Sequence, residues 1–302
     1  MLYRRTIIKP SDGYFKDYSL ASTTQSNIRV NIILFVATLI TTTLVGSIMS
    51  GANPFTSIQG LVKGLPFSLT LLTILGIHEF GHYFAARYWN INVTLPYFIP
   101  APFIPIGTFG AVIKMKSSIP NRKALIDVGA MGPVAGFVVA IVASIIGLSM
   151  SEVGSQMVTE DTGGLILGES LIFKFLSYAV LGNLPDDMVI NLHPIAFAGW
   201  LGLFVTALNL IPIGQLDGGH ILFALSPRFH ELLRRIRIPL LFLFGLTFWK
   251  GWFVWAILLI FIGGPHPYPD YMNVEIGNSR KLLAFTAIAI FIVCIMPTPV
   301  KM

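Results

Sequence analysis

The chain has 302 residues, 54% of them hydrophobic and only 11% charged, with a formal net charge of +6 and a mean hydropathy of +0.76. Soluble domains carry about 25% charged residues, so this composition excludes a soluble domain with one anchor and indicates an integral, multi-pass membrane protein. The basic excess flanks apolar runs, as the positive-inside bias requires, and does not form a nucleic-acid surface. The single cysteine, Cys294, excludes a disulfide framework and a cysteine metal site.

Residues 1–29 read as a polar tail with Arg4, Arg5, Lys9, Lys16 and Arg29, without the short apolar core and cleavage site of a removable signal peptide. A first span is predicted at about 30–49, closed by Ser50, Gly51, Asn53 and Pro54. A second is predicted at about 66–89, and within it stands His78-Glu79-Phe80-Gly81-His82, an H-E-x-x-H motif. Residues four apart share a helix face, so both imidazoles can hold one divalent metal. Glu79 beside them can take a proton from a metal-activated water. Each ionisable group at the centre of a span costs about 2.5–3.5 kcal/mol to insert. Two histidines and a glutamate so close together make a poor lipid-facing surface, whereas a metal serves both histidines at once.

The segment 91–120 differs in kind. Pro96, Pro100, Pro102, Pro105 and Pro120 exclude a long helix, yet 97–105 is very apolar. After Gly107 and Gly110 the pattern alternates, which predicts a re-entrant or interfacial β-hairpin. Non-helical backbone at membrane depth needs cover from protein or a wet cavity, as a loop roofing an active site would have. The alternative is a surface loop dipping into the headgroups.

A third span is predicted at about 124–150, with Gly132 and Gly136 forming a G-x-x-x-G face for close helix packing. The stretch 151–192 carries Glu152, Glu160, Asp161, Glu169, Asp186 and Asp187 against Lys174, with an amphipathic interfacial helix at about 171–181. A fourth span starts near Pro194 and is interrupted at 212–219. A basic loop follows, with Arg228, Arg234, Arg235 and Arg237. The fifth span is predicted at about 238–262, closed by Gly263-Gly264-Pro265-His266-Pro267, and the sixth at about 282–296. Six spans put both termini on one face, together with Lys114, Lys116, Arg122, Lys123 and the arginines of 226–237. The positive-inside rule makes that face cytoplasmic, with the metal site nearer to it.

Catalytic zinc takes three protein ligands and keeps one position open. Asp217 is the foremost third candidate, because Pro212, Gly214, Gly218 and Gly219 loosen the chain around it. Read alone, it is equally well the cap of a short helix at 218–225; beside H-E-x-x-H in a neighbouring span, the ligand reading prevails. His193 reads as interfacial, and His220 either as a support for the ligands or as a polar interfacial residue. His230 reads as solvated in the basic loop, and His266 as a turn residue.

On His78-Glu79-x-x-His82 and Asn209-x-x-Pro212-x-x-x-x-Asp217-Gly218, both inside apolar spans and in this order, the sequence resembles the site-2 protease family of intramembrane zinc metalloproteases. The glycine-rich start of the third span is similar too, and the resemblance covers roughly 60–265. It implies one Zn2+ per chain bound by His78, His82 and Asp217, with Glu79 as general base and Asn209 helping to hold the scissile peptide. It also implies transmembrane proteins as substrates. Many relatives carry a PDZ domain between spans or C-terminal CBS domains; the segments here are too short for a PDZ domain and the sequence stops at Met302, so a compact member is expected.

The expected architecture is an all-α polytopic membrane protein of about six transmembrane helices with a β-hairpin near the active site. A cytoplasmic tail, 1–29, precedes a membrane-embedded metalloprotease domain, 30–302, in a cell membrane with both termini cytoplasmic. An exposed strand edge at 107–116 would pair with a locally unwound substrate. Two other classes are weighed against this reading. A membrane metal-ion transporter would show paired half-helices with repeated polar motifs, and the sequence has none. An inactive homologue acting as a binding module for membrane proteins would have lost a catalytic position, and all are filled. No nucleic-acid partner is expected; the lipid bilayer is the environment, and substrate and oligomeric state stay open.

Overall fold

A computed structural model describes residues 27–155, 166–185, 188–262 and 269–301. Most of the basic tail, the acidic residues Glu160, Asp161, Asp186 and Asp187, and the run 263–267 with His266 lie outside the described residues. The fold is mostly helical, with small antiparallel strand pairs.

Helix α1 (Ile28–Met49) is turned inside out relative to a helix of a soluble protein. Asn31, Thr38, Thr42, Thr43 and Ser47 are buried, while Ile32, Ile33, Val36 and Ile40 are exposed. Lipid tails impose no penalty on apolar side chains, so the small polar ones turn inward and bond there. Thr38 Oγ1 donates to the Leu34 carbonyl at 2.7 Å, and the Thr42 and Ser68 hydroxyls lie 2.5 Å apart. Helix α2 (Ile58–Val62) leads into α3 (Leu65–Tyr88), which opens with Pro66 in its first turn. The segments Ile28–Met49, Ile58–Tyr88 and Arg122–Ser149 are long and apolar enough to cross a membrane.

After α3 the chain reverses at Asn90 (φ 55°). Strand β1 (Tyr97–Ala101) then pairs antiparallel with β2 (Gly107–Val112), Tyr97 opposite Val112, with an irregularity between Phe98 and Pro100. The hairpin expected from the prolines is present. It is tied to α1 by side chains: Asn31 Nδ2 donates to the carbonyls of Leu95 (3.2 Å) and Pro96 (2.8 Å), and Thr41 Oγ1 to that of Gly107 (2.7 Å). Helix α4 (Arg122–Ser149) follows, capped by Asn121, whose side chain accepts from the Lys123 and Ala124 amides. Beyond it come β3 (Glu152–Ser155), β4 (Ile166–Leu167), α5 (Leu171–Leu181) and β5 (Met188–Asn191), which pairs with β3. The expected helix at 171–181 is α5. Helices α6 (Pro194–Asn209) and α7 (Asp217–Leu225) then pack with α3 against α4, the centre of the bundle.

The rest of the chain departs from expectation. The predicted fifth span, 238–262, is two helices, α8 (Pro227–Thr247) and α9 (Gly251–Ile262), turning at 248–250 and packing on each other. The Phe242 and Phe253 ring centroids are 4.9 Å apart, and Gly245 leaves room for the Phe253 ring. A run with Lys250 as its single charge has the length of one span, which conceals the turn. The chain then comes back to the start of α4, where the Asp270 amide donates to Ile119 O and the Tyr271 amide to Pro120 O, both at 3.0 Å.

Helix α10 (Asn278–Cys294) begins beside that same end, with Arg280 3.0 Å from Asp127. It leads to β6 (Val300–Lys301), which pairs with β4 at the far end of α4. The start of α1 stays beside Leu95 and Pro96, just after α3 and near the start of α4. The reversal at 248–250 adds one more change of direction to the expected order of helices. Val300 and Lys301 lie at the opposite end of the bundle from Ile28, and three segments among the described residues are long and apolar enough to cross a membrane, so six spans with both termini on one face are not borne out.

Candidate metal centre

The helical register of α3 brings His78 and His82 onto one face, one turn apart, with Glu79 alongside; all three are buried. The two Nε2 atoms are 3.0 Å apart. The Oδ2 of Asp217 lies 3.3 Å from each of them. These three atoms form the base of a small pyramid. In a tetrahedral zinc site with bonds of about 2.0–2.1 Å, neighbouring ligand atoms sit about 3.3–3.4 Å apart. Two imidazole nitrogens and one carboxylate oxygen at this spacing fit one zinc ion.

The tautomer of His82 is set from outside the cluster. Its Nδ1–H donates to the Val128 carbonyl on α4 at 2.7 Å, which leaves the Nε2 lone pair facing inward. Asp217 is the first residue of α7, whose N-cap position is taken by Leu216; the Asp217 carboxylate is turned to the histidines. Ligand atoms of His78, Glu79 and His82 all lie within 4.8 Å of one another, so Glu79 borders the same point. Asn209, the last residue of α6, carries its Nδ2 3.3 Å from His78 Nε2. The five residues singled out from the sequence therefore meet at one place.

The glycines of α4 serve this cluster. A Cβ on Gly132 would overlap the His82 imidazole, and one on Gly136 would stand 3.0 Å from His78 Nδ1. A Cβ on Gly129 would stand 3.0 Å from the Asp217 carbonyl oxygen, and one on Gly81 2.5 Å from Met131 O. The G-x-x-x-G face expected to pack helices also makes the space that the His78 and His82 imidazoles occupy.

The cluster opens into a cavity of about 520 Å3, whose lining includes Ile113, Ser117, Gln215 and His220. Ala111 and Val112 of β2 also line it, and the two-stranded sheet leaves β2 without a second partner strand among the described residues. His193 caps α6, its Nδ1 accepting from the Ile195 amide at 3.3 Å, and is not part of the cluster. His230 corrects an expectation: it is only 2% exposed, and its Nε2 lies 3.0 Å from Gly214 O. Residues 226–237 are not a solvated loop, because α8 already starts at Pro227. The signal was the Ser226-Pro227 pair, a helix start with Ser as cap and Pro in the first turn.

Membrane-embedded metallopeptidases are the class in which such a donor set sits among apolar helices. The chain belongs to peptidase family M50, whose family model matches residues 66–246. It is similar to the probable zinc metalloprotease EGY2, chloroplastic, of Arabidopsis thaliana, with 32% identity over 213 residues, 70% of this chain and 37% of that protein. It is also similar to the probable zinc metalloprotease EGY1, chloroplastic, of the same plant, with 30% identity over 250 residues, 77% of this chain and 43% of that protein. A third relative, the probable zinc metalloprotease EGY3, chloroplastic, of Oryza sativa subsp. indica, is 29% identical over 211 residues, 64% of this chain and 35% of that protein. The chain thus spans well under half the length of these curated relatives. No solved structure matches it significantly.

Proposed function

We propose that the protein is a zinc metalloendopeptidase that hydrolyses peptide bonds in or near transmembrane segments of membrane proteins. The observation that carries this reading is the triangle of His78 Nε2, His82 Nε2 and Asp217 Oδ2, with sides of 3.0, 3.3 and 3.3 Å, beside a second buried carboxylate. His78, His82 and Asp217 hold one zinc ion, which supplies Lewis-acid activation of a water and of a peptide carbonyl. Glu79 accepts the proton of the attacking water and returns it to the leaving amine as the C–N bond breaks. The Asn209 amide donates a hydrogen bond to the scissile carbonyl oxygen. The Val128 carbonyl keeps His82 in the tautomer that offers Nε2.

A substrate helix hides its peptide bonds in its own hydrogen bonds and must unwind first. The free edge of β2 offers an unwound segment a strand to pair with, next to the cavity. The membrane-embedded unit is 30–302, preceded by a tail at 1–29. The end of the bundle that carries Lys114, Lys116, Arg122, Arg234 and Arg235 faces the cytoplasm, by the positive-inside rule, and β6 faces the other side.

The test is zinc-dependent cleavage of a single-span substrate by the purified protein in detergent, read by mass spectrometry. Cleavage that survives both zinc removal and Glu79→Gln would refute the proposal.

A further inference from the structure

The strand of chain between α6 and α7 has to deliver a carboxylate to within 3.3 Å of two nitrogens without regular structure of its own. Its backbone makes short-range contacts, Ile213 N to Ile211 O at 2.7 Å and Leu216 N to Ile213 O at 3.4 Å. Gly214 adopts φ +62°, a left-handed conformation that glycine enters freely. The loop then folds back on the first turn of α7. A Cβ on Gly219 would overlap the Gly214 carbonyl oxygen, and one on Gly218 would overlap that of Leu210. The Gly214 carbonyl therefore lies directly over the turn that begins with Asp217.

That carbonyl is gripped from a different helix. His230, on α8, is buried, and its Nε2–H donates to Gly214 O at 3.0 Å. The ring is itself fixed edge-on against Phe223 of α7, centroid to centroid 5.3 Å and nearly perpendicular at 89°. One imidazole thus joins α8, α7 and the loop before Asp217. We propose that His230 is a positioning residue for the metal centre: by holding the Gly214 carbonyl it fixes the loop that aims Asp217 at the histidines. This rests on the reading of Asp217 as a zinc ligand.

The experiment measures zinc affinity of the purified full chain in detergent by competition with a chromophoric chelator. Wild type is compared with His230→Leu, His230→Gln, His230→Asn and Asp217→Ala. A glutamine Nε2 is as many bonds from Cα as the histidine Nε2 and can donate to the same carbonyl, whereas the asparagine amide falls one bond short. Groups that orient metal ligands are worth about 10–100-fold in metal affinity, so His230→Leu and His230→Asn are expected to weaken zinc by that factor and His230→Gln to restore most of it. Cleavage by His230→Leu should recover substantially when zinc is raised to saturation.

Wild-type zinc affinity in His230→Leu, or a His230→Gln variant as weak as His230→Leu, would overturn the proposal and leave His230 a packing residue. Should His230→Leu fail to fold, the comparison of His230→Gln with His230→Asn decides by the same criterion. Zinc lost in Asp217→Ala but unchanged in the His230 variants defeats the inference alone. Zinc retained in Asp217→Ala defeats the ligand reading and the inference with it.

Discussion

Replacing Gly132 by alanine tests whether the glycines of α4 exist to seat the ligands. The new methyl would overlap the His82 ring. Non-bonded contacts settle at about 3.5–4.0 Å, so the ring must retreat by more than about 1 Å. Metal–ligand bonds tolerate only about 0.2 Å. His82 would then be lost as a ligand and two would remain. Disturbing a group behind a ligand already costs about 10–100-fold in affinity, so zinc should bind at least about 100-fold more weakly, or about 2.7 kcal/mol.

Two other glycines on the same helix grade the result. Gly136→Ala puts its methyl 3.0 Å from His78 Nδ1, a clash that a shift of a few tenths of an ångström relieves, and zinc should weaken by less than about tenfold. Gly147→Ala strikes the Ala196 backbone at the other end of α4. It should lower Tm while the folded protein binds zinc normally. Chelator competition and thermal melts in detergent read both quantities. Wild-type zinc affinity in Gly132→Ala, or a greater loss in Gly136→Ala, would refute the reasoning.

Glu79→Gln should retain zinc and lose cleavage, because an amide cannot accept the proton of water; metal analysis showing zinc lost as well would make Glu79 a ligand. Asp217→Ala should lose both zinc and activity, with two histidines left, and normal zinc content with cleavage intact would reduce Asp217 to the start of a helix. In a Cys294→Ala background, cysteines at Lys116 and Arg235 should label from the cytoplasmic face and cysteines at Glu152 and Lys301 from the opposite one; Lys301 labelling with Lys116 would refute this arrangement. Strand pairing is tested at Thr108, whose hydroxyl donates to Ile99 O and accepts from the Gly110 amide. Thr108→Val should leave zinc in place, slow cleavage of a helical substrate and spare a short unstructured peptide; equal loss on both would end the strand-pairing idea.

Legibility in the sequence followed the range of the interactions concerned. His78 and His82 were readable because a helix period fixes their common face within one turn. The hairpin was readable because prolines act locally on the backbone. Asp217 needed a partner far along the chain, and only its pairing with H-E-x-x-H in a neighbouring span favoured it over a cap. The turn at 248–250 was hidden, because packing of the Phe253 ring against Gly245 is a tertiary contact that an apolar run does not announce. His230 was misread for a similar reason: its helix starts at Pro227, and the carbonyl it grips belongs to another element. The seats that Gly132 and Gly136 provide for imidazoles look, in sequence, like ordinary small-residue helix contacts.

The division of the metal cluster between α3 and the start of α7 bears on how the protein is made. On the proposed ligand set, two of the three donors precede α4 in the chain, and the third is translated only after α4 and α6. Until then a nascent chain offers two imidazoles, too few to retain zinc against cellular chelators. On that reading, hydrolytic power is withheld until α7 has been made. A truncated chain ending before Leu210 should insert into membranes and carry no zinc, and completion of α7 should be the step at which the protein becomes capable of harm.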